Sequence, residues 1–417
     1  MSRSVLSRRS CQACATDTQH RVFADPGLGP LVSDFVAPEA ANQPETFYPL
    51  TTYVCGDCKL VYLPESISPE KIFSDYPTFS SVSAGWLRHS EALAAHCIGR
   101  FGLDANSLVL EPGSNDGYLL QYFMAAGIPV LGVEPAANVA HRAAELGIPT
   151  EVAFFGRAQA ESLVARGVVA NLVIGNNVLG HVPDLDDFLG GVALVLADDG
   201  VTSFEFCHLL RIIEGNQVDQ IIHEHFGHLS LLALETIAAR HGLSIFDVAE
   251  LDTHGGSLRV HAQLTATGSR PVEASVTRVL DAERAHGLDS WEAYEGFRER
   301  SWRTKHEVLA NLIELKRDGR SIVGYGAAGK GAILAIQAGL GPDFLDYVVD
   351  LSPHKQGLLM PGLRLPIHAP DMVRETKPDY LYLLAWRLRD EIMEQMSFVR
   401  DWGGQFIVPL PEFEIIP

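Results

Sequence analysis

Three histidines and a glutamate crowd into six positions of "QIIHEHFGHL": His223, Glu224, His225 and His228. Imidazoles at this density can bind a metal, move protons or pack as neutral rings. The metal reading fails on spacing. An H-E-x-x-H zinc motif sets its histidines four apart on one helical face. Here they lie two and three positions apart, with Gly227 before the last. Proton transfer and simple packing remain; a neutral imidazole is a suitable base near pH 7.

A second constellation is sulfur. "CQAC" supplies Cys11 and Cys14, and "CGDC" supplies Cys55 and Cys58. Two C-x-x-C knuckles can each chelate one side of an ion, and four thiolates close a tetrahedral zinc shell. Such a shell has no open position, so the ion is structural. The alternative, four unrelated thiols, sits poorly with two such pairs in a stretch poor in core material. Cys97 and Cys207 read as buried thiols.

A third is the turn in "LVLEPGSNDGYLL", which follows a strand and opens a helix. Gly113 and Gly117 let backbone approach a ligand closely, and Asn115 and Asp116 lie between them. Glu134, ending the next strand, can accept hydrogen bonds from ribose hydroxyls. Asn176 and Asn177, in "GNNVLGH", close a later strand where amides meet an adenine or a carboxylate. In doubly wound sheets, ligands bind beyond the carboxyl ends of the strands. The loop lacks a full G-x-G-x-x-G and is acidic, which suits a ligand without a pyrophosphate. S-adenosylmethionine fits; a tight turn holding no ligand is the alternative.

The elements that must position these groups read as an α/β protein. Residues 1 to about 75 are irregular and proline-rich. "SVSAGWLRHSEALAAHCIGR" patterns as an amphipathic helix. From 107 the chain alternates: strands "SLVLE", "PVLGVE", "NLVIGNN" and "VTSFEF", with helices "YLLQYFMAAG", "NVAHRAAELG" and "DLDDFLGGVALVLADDG" between them. Such alternation predicts a parallel sheet covered on both faces. "LSIFDVAEL" and "SLRVHAQL" read as its closing strands. Helical patterning over 270–318 connects to a second, smaller alternation from "SIVGYG" at 321. The expected domains are 1–78, a zinc-binding module; 79–268, a central Rossmann-like domain with the S-adenosylmethionine-type turn; and 269–417, the connector and a C-terminal Rossmann-like domain.

Composition narrows the partners. The 417 residues carry a formal charge of −20, which repels phosphate backbones and anionic membranes. No stretch reaches the roughly 18 to 20 apolar residues of a membrane helix. The start "MSRSVLSRRSCQAC" lacks an apolar signal core, so a cytoplasmic location is expected.

Taken together, "EPGSNDGYLLQYF", "GVEPAANVA", "NNVLGHVPDLDDFL", "HEHF", "THGGSLRVHA" and "DLSPHKQGLLMPG" resemble the nucleotide-diphosphosugar C-methyltransferases of antibiotic deoxysugar pathways. The resemblance spans nearly the whole chain. It implies an S-adenosylmethionine-dependent enzyme with an N-terminal zinc-binding domain and a C-terminal α/β domain. Its expected reaction is methylation at C-3 of a thymidine-diphosphate (TDP) 4-keto sugar. The resemblance also assigns roles: His225 as the base, His181 polarising the carbonyl region, Glu224 holding sugar or base, and Tyr76 in the active site. The bland reading of each is a packed, satisfied side chain. Monomer and homodimer both stay open.

One departure is clear. Many relatives carry tyrosine immediately before "HEHF", where this chain has Ile222, and Phe79 stands near where an aromatic hydroxyl could sit. A neutral sugar, without an amino group, is one expectation; loss of catalysis, leaving a sugar-nucleotide or S-adenosylmethionine binding protein, is another. "VGYGAAGKGAIL" adds a dinucleotide-type turn with Asp350 ending the following strand. Three readings compete there. It is a structural loop, or it meets the sugar-nucleotide diphosphate with Lys330, His354 and Lys355, or it binds NADPH. The last would make a bifunctional methyltransferase and 4-ketoreductase. His254, in "THGGSLRV", either contacts substrate or caps its turn.

Overall fold

The computed structural model describes residues 11–14, 19–327 and 329–417. Two compact units share the chain. Of the described residues, the first takes 11–14, 19–21, 54–210 and 226–292; the second takes 22–53, 211–225, 293–327 and 329–417.

The first unit is built on a seven-stranded sheet. Its strands are β1 (Val109–Pro112), β2 (Val130–Val133), β3 (Thr150–Glu151), β4 (Ala170–Asn176), β5 (Leu196–Cys207), β6 (Leu243–Leu251) and β7 (Ser257–Leu264). Their order across the sheet is β3-β2-β1-β4-β5-β7-β6. The first five run parallel, and β7 is antiparallel to both β5 and β6. Strands buried on both faces need near-continuous apolar runs, and β4 supplies one in "ANLVIGN". The helices are α1 (Ala84–Phe101), α2 (Leu120–Ala125), α3 (Ala137–Glu145), α4 (Arg157–Ala165), α5 (Leu185–Val195), α6 (Leu231–Arg240) and α7 (Ala274–Ala285). Helix α1 begins where the Ser83 hydroxyl accepts from Trp86 N–H and ends at left-handed Gly102, the usual residue types at such caps. Its Leu93, Ala94 and Cys97 pack with Val109, Phe123, Ile174 and Phe246 in one buried cluster.

Two local expectations are corrected. "DLDDFLGGVALVLADDG" was expected to stay helical to its glycine. Asp184 does cap α5, accepting from Asp187 N–H, but the helix ends at Val195. Leu196 already pairs with Ala170, and the register shifts between Leu196 and Val201. The apolar tail thus serves the sheet, with Asp198 and Asp199 exposed at the irregularity. The N-terminal region is also less irregular than expected. It holds strands at His20–Ala24, Thr52–Cys55 and Val61–Tyr62, the last antiparallel to Gly227–His228.

The second unit has its own six-stranded sheet: β8 (Ile322–Tyr325), β9 (Val348–Val349), β10 (Ile367–His368), β11 (Tyr380–Leu383), β12 (Gln405–Val408) and β13 (Glu414–Ile416). The order is β10-β9-β8-β11-β12-β13, parallel except for β13. Strand alternation divides its core in two. Ile322, Tyr382 and Ile407 enter one cluster; Val323, Leu381, Leu383 and Phe406 enter the other, as a period of two requires. Helix α8 (Phe297–Arg317) and helix α9 (Gly329–Ala338) contribute Val308, Leu312 and Ala335 to the first of these clusters. No described helix is long and apolar enough to cross a membrane.

Candidate active site

The glycine turn after β1 is held open by three left-handed residues, Gly113, Asn115 and Gly117. A Cβ on Gly113 would stand 2.9 Å from a Val178 methyl, so backbone conformation and close packing both demand glycine there. Glu134 gathers the turn. One carboxylate oxygen accepts from Asn115 N–H at 2.9 Å and the other from Ala136 N–H at 2.9 Å. Burial raises its pKa, and these two N–H groups work against the rise. Glu111 lies fully buried at the end of β1. Burial, reinforced by the Glu134 charge, pushes its carboxyl well above the ordinary range. Among the described residues, neither the amide nitrogen nor the oxygen of Asn176 has a hydrogen-bond partner, and Asp116 Oδ1 and Asn177 Oδ1 likewise have none. Buried polar atoms are normally paired, so this end of the sheet suits a polar ligand.

The segment before α1 lies along the same turn. Asn115 donates to the Thr78 carbonyl at 3.1 Å and accepts from Ser80 N–H at 2.9 Å; Asp116 accepts from Ser81 N–H at 3.2 Å. These side chains were expected at a cofactor, and each has a bond committed to this segment. Asn138, in the first turn of α3, grips the main chain of Tyr76. Its oxygen accepts from Tyr76 N–H at 3.1 Å and its nitrogen donates to the Tyr76 carbonyl at 2.8 Å. Phe73 then joins two expected residues: its ring centroid lies 5.8 Å from those of Tyr76 and His181. His254 is set elsewhere in this unit, left-handed at φ 54° and 5.1 Å from the Trp86 ring.

A buried carboxylate found by no motif anchors that neighbourhood. Glu205, on β5, accepts from His89 at 2.9 Å, Arg259 at 2.8 Å and the Thr253 hydroxyl at 2.8 Å. Burial raises its pKa, but His89, Arg259 and Thr253 outweigh it and hold the carboxyl below its usual value.

The chain passes from the second unit to the first after His225. His223 is a packed ring. Its Nε2 meets the Tyr48 carbonyl at 3.2 Å, and burial lowers its pKa. His225 is buried, and its Nδ1 lies 2.7 Å from the Gln220 carbonyl. A carbonyl only accepts, so Nδ1 carries the proton and Nε2 holds the lone pair in the neutral ring. Glu224 is buried beside it, as is Ile222. Lys330 opens α9. Lys355 donates to the Ala327 carbonyl at 2.9 Å and lies 3.7 Å from the Asp350 carboxylate. His354 lies between Asp350 and Lys355 in the chain, in the turn that follows β9.

In the first unit, the four cysteine sulfurs lie within 4.8 Å of one another, with Cys11 and Cys58 3.6 Å apart and Cys14 and Cys55 3.5 Å apart. All six cysteines are free of disulfides.

Three family profiles match the chain: a zinc binding domain over residues 11–73, a methyltransferase domain over 86–248, and a C-methyltransferase C-terminal domain over 252–411. The chain is 36% identical over 406 residues to C-methyltransferase NovU of Streptomyces niveus, covering 97% of this chain and 96% of that protein. The chain belongs to the S-adenosylmethionine-dependent C-methyltransferases. Among solved structures, magnesium protoporphyrin IX methyltransferase of Synechocystis PCC 6803 with bound SAM is similar at 16% identity and TM-score 0.34, over 44% of this chain and 81% of that one. A S-adenosylmethionine-dependent methyltransferase of Clostridium acetobutylicum ATCC 824 is similar at 10% identity and TM-score 0.35, over 44% and 92%.

Both ligands of this C-methyltransferase fit the residues present. Sulfurs roughly 3.8 Å apart surround a tetrahedral zinc with Zn–S of about 2.3 Å, close to the two spacings found here. At the carboxyl ends of β1, β2 and β4, the Glu134 carboxylate and the unpartnered Asn176 amide offer the acceptors and donors a nucleoside with an amino acid tail requires. Sequence reasoning missed Asn138, Glu205 and Glu111 in this enzyme. Only Glu111, an acid ending an apolar strand, carried a local signal.

Proposed function

We propose that this C-methyltransferase acts at C-3 of a TDP-4-keto-deoxysugar in antibiotic deoxysugar assembly, with His225 as the base. Bound S-adenosylmethionine supplies a methyl group on a positively charged sulfur. His225 Nε2 removes the C-3 proton, and the electrons of that C–H bond form an enolate with the neighbouring carbonyl. His181 and Tyr76 donate to the enolate oxygen, and Glu224 holds the sugar or the base. The carbon takes the methyl as its bond to sulfur breaks, and the proton leaves the imidazole for solvent. Lys330, His354 and Lys355 meet the nucleotide diphosphate.

The tautomer of His225 carries the reading. A ring that donates through Nδ1 to a backbone carbonyl is already in the form a base needs. Ile222, apolar and buried, favours a sugar without an amino group. His225→Ala should lower kcat for methyl transfer by a factor on the order of 10² to 10⁴ and abolish uptake of solvent deuterium at C-3. An unchanged rate would remove His225 from the chemistry.

A further inference from the structure

Gln220, whose carbonyl sets the His225 tautomer, sits at the end of a single turn, Val218–Gln220. That turn would be soft by itself. Val218 fixes one side by entering the core of the second unit. The other side is fixed by charge. Asp219 is 1% exposed. Arg387 donates to both its carboxylate oxygens, at 2.6 and 2.8 Å, and Trp386 Nε1 donates to one of them at 2.8 Å. The same guanidinium reaches Gln217 Oε1 at 3.1 Å, and its carbon stands 4.5 Å from the Trp386 ring centroid. The fork therefore grips residues on both sides of Val218. One peptide unit beyond Asp219 is the carbonyl that accepts the hydrogen bond from His225 Nδ1–H.

We infer that Arg387, with Trp386, is a positioning residue for the base: it fixes the Asp219 turn and, through the Gln220 carbonyl, the tautomer and aim of His225. The inference rests on the proposed role of His225. The physics is that of outer groups that orient a reacting imidazole. A two-point guanidinium–carboxylate pair supplies direction as well as attraction. Lysine, a point charge with no fork, cannot reproduce it. A group engaged this way stays in place while the imidazole changes charge, so no reorganisation accompanies proton removal.

The test uses full-length zinc-loaded enzyme and a TDP-4-keto-deoxysugar. Deuterium uptake at the sugar carbon from heavy water, without methyl donor, reads proton removal alone. Arg387→Met should slow this uptake and kcat together by about 10- to 100-fold, by analogy with the loss of partners that orient metal-bound imidazoles, with KM for the methyl donor unchanged. Arg387→Lys should recover part of the loss. The His225 Nδ1–H resonance, shifted downfield by its bond to Gln220 in wild type, should move upfield or vanish in Arg387→Met. Should Arg387→Met not fold, Trp386→Phe removes one donor from Asp219 and must move uptake and resonance in the same direction, by less. Normal uptake with an unmoved resonance in these variants overturns the inference, as does slowed uptake with an unmoved resonance. The reading of His225 as base fails separately, if His225→Asn exchanges deuterium at the wild-type rate; the resonance still reports on Arg387 in that case.

Discussion

Exchanging His261 for glutamine should flatten the acid limb of the first unit's stability. His261 lies on β7, 1% exposed, and its Nδ1 has no hydrogen-bond partner among the described residues. Its ring centroid is 6.0 Å from that of His96, 5.3 Å from Phe101 and 6.1 Å from Phe246. Burial, then the charge of Arg100, pushes its pKa down to about 3; Asp247 pulls the other way, and Arg259 and His96 add to the depression. The folded chain thus refuses a proton that the unfolded chain accepts near pH 6.5.

The sign follows from that refusal. Stability from this group is full above the unfolded pKa and falls as pH drops, because only the unfolded state gains the proton. Each pH unit below about 6.5 costs about 1.4 kcal/mol, so going from about pH 7.5 to about pH 4.5 removes roughly 2.5 to 3 kcal/mol. The ring packing lost against Phe101 and Phe246 lowers stability equally at every pH, while glutamine, neutral throughout, removes this pH dependence. Urea unfolding read by hydrogen exchange in peptides of β5 and β7, in wild type and variant at several pH values, isolates it. Losses common to both proteins belong to His96, to carboxylates or to thiolates releasing zinc. Over this range wild type should lose about 2.5 to 3 kcal/mol more than the variant. Parallel curves would show that His261 is protonated in the fold, and the account of its burial would be wrong.

Two further outcomes follow from polar groups the motifs did not mark. Asn138→Asp keeps an acceptor for Tyr76 N–H but turns a carboxylate toward the Tyr76 carbonyl; under the proposed role of Tyr76 at the enolate, kcat should fall about 10- to 100-fold while zinc content stays whole, and an unchanged kcat would mean that the grip on Tyr76 is idle. Glu283→Ala removes a buried carboxylate that accepts from His208 at 2.7 Å and from the Leu231 and Leu232 N–H groups opening α6; unfolding free energy should drop by about 3 kcal/mol or more, and a loss under about 1 kcal/mol in urea melts would show water replacing it.

What the sequence showed, it showed through local order. Strand and helix alternation over 107–206 is a property of consecutive residues, and so is each C-x-x-C pair. Hence the α/β fold and the sulfur cluster were legible. The end of α5 was not, because "ALVLADDG" is as apolar and periodic as a helix; only pairing with Ala170 of β4 makes Leu196 a strand residue. The tautomer of His225 and the grip on Tyr76 were equally hidden. Asn138 meets Tyr76 across 62 residues, and Asp219 meets Arg387 across 168. No periodicity encodes such pairs; they exist only once the sheets bring them together.

The second glycine turn shows the opposite case, a motif plain in the sequence whose meaning depends on packing. Gly326 is left-handed, and a Cβ there would stand 2.7 Å from that of Ala385; a Cβ on Gly331 would collide with the Leu384 carbonyl. The turn and helix α9 can lie this close to Leu384 and Ala385, just beyond β11, only if those positions have no side chain. The glycines would therefore be required even by a sheet that bound nothing. What distinguishes a phosphate cradle from a packing seam is the charge above the turn. There Lys355 meets the Ala327 carbonyl and faces Asp350, the acid that a dinucleotide site reserves for ribose hydroxyls. An acid sharing its charge with a lysine is a weaker ribose acceptor, while a lysine at the glycine turn is a fair partner for a diphosphate. The arrangement thus suits the diphosphate of the proposed sugar-nucleotide substrate better than a nicotinamide cofactor at this position.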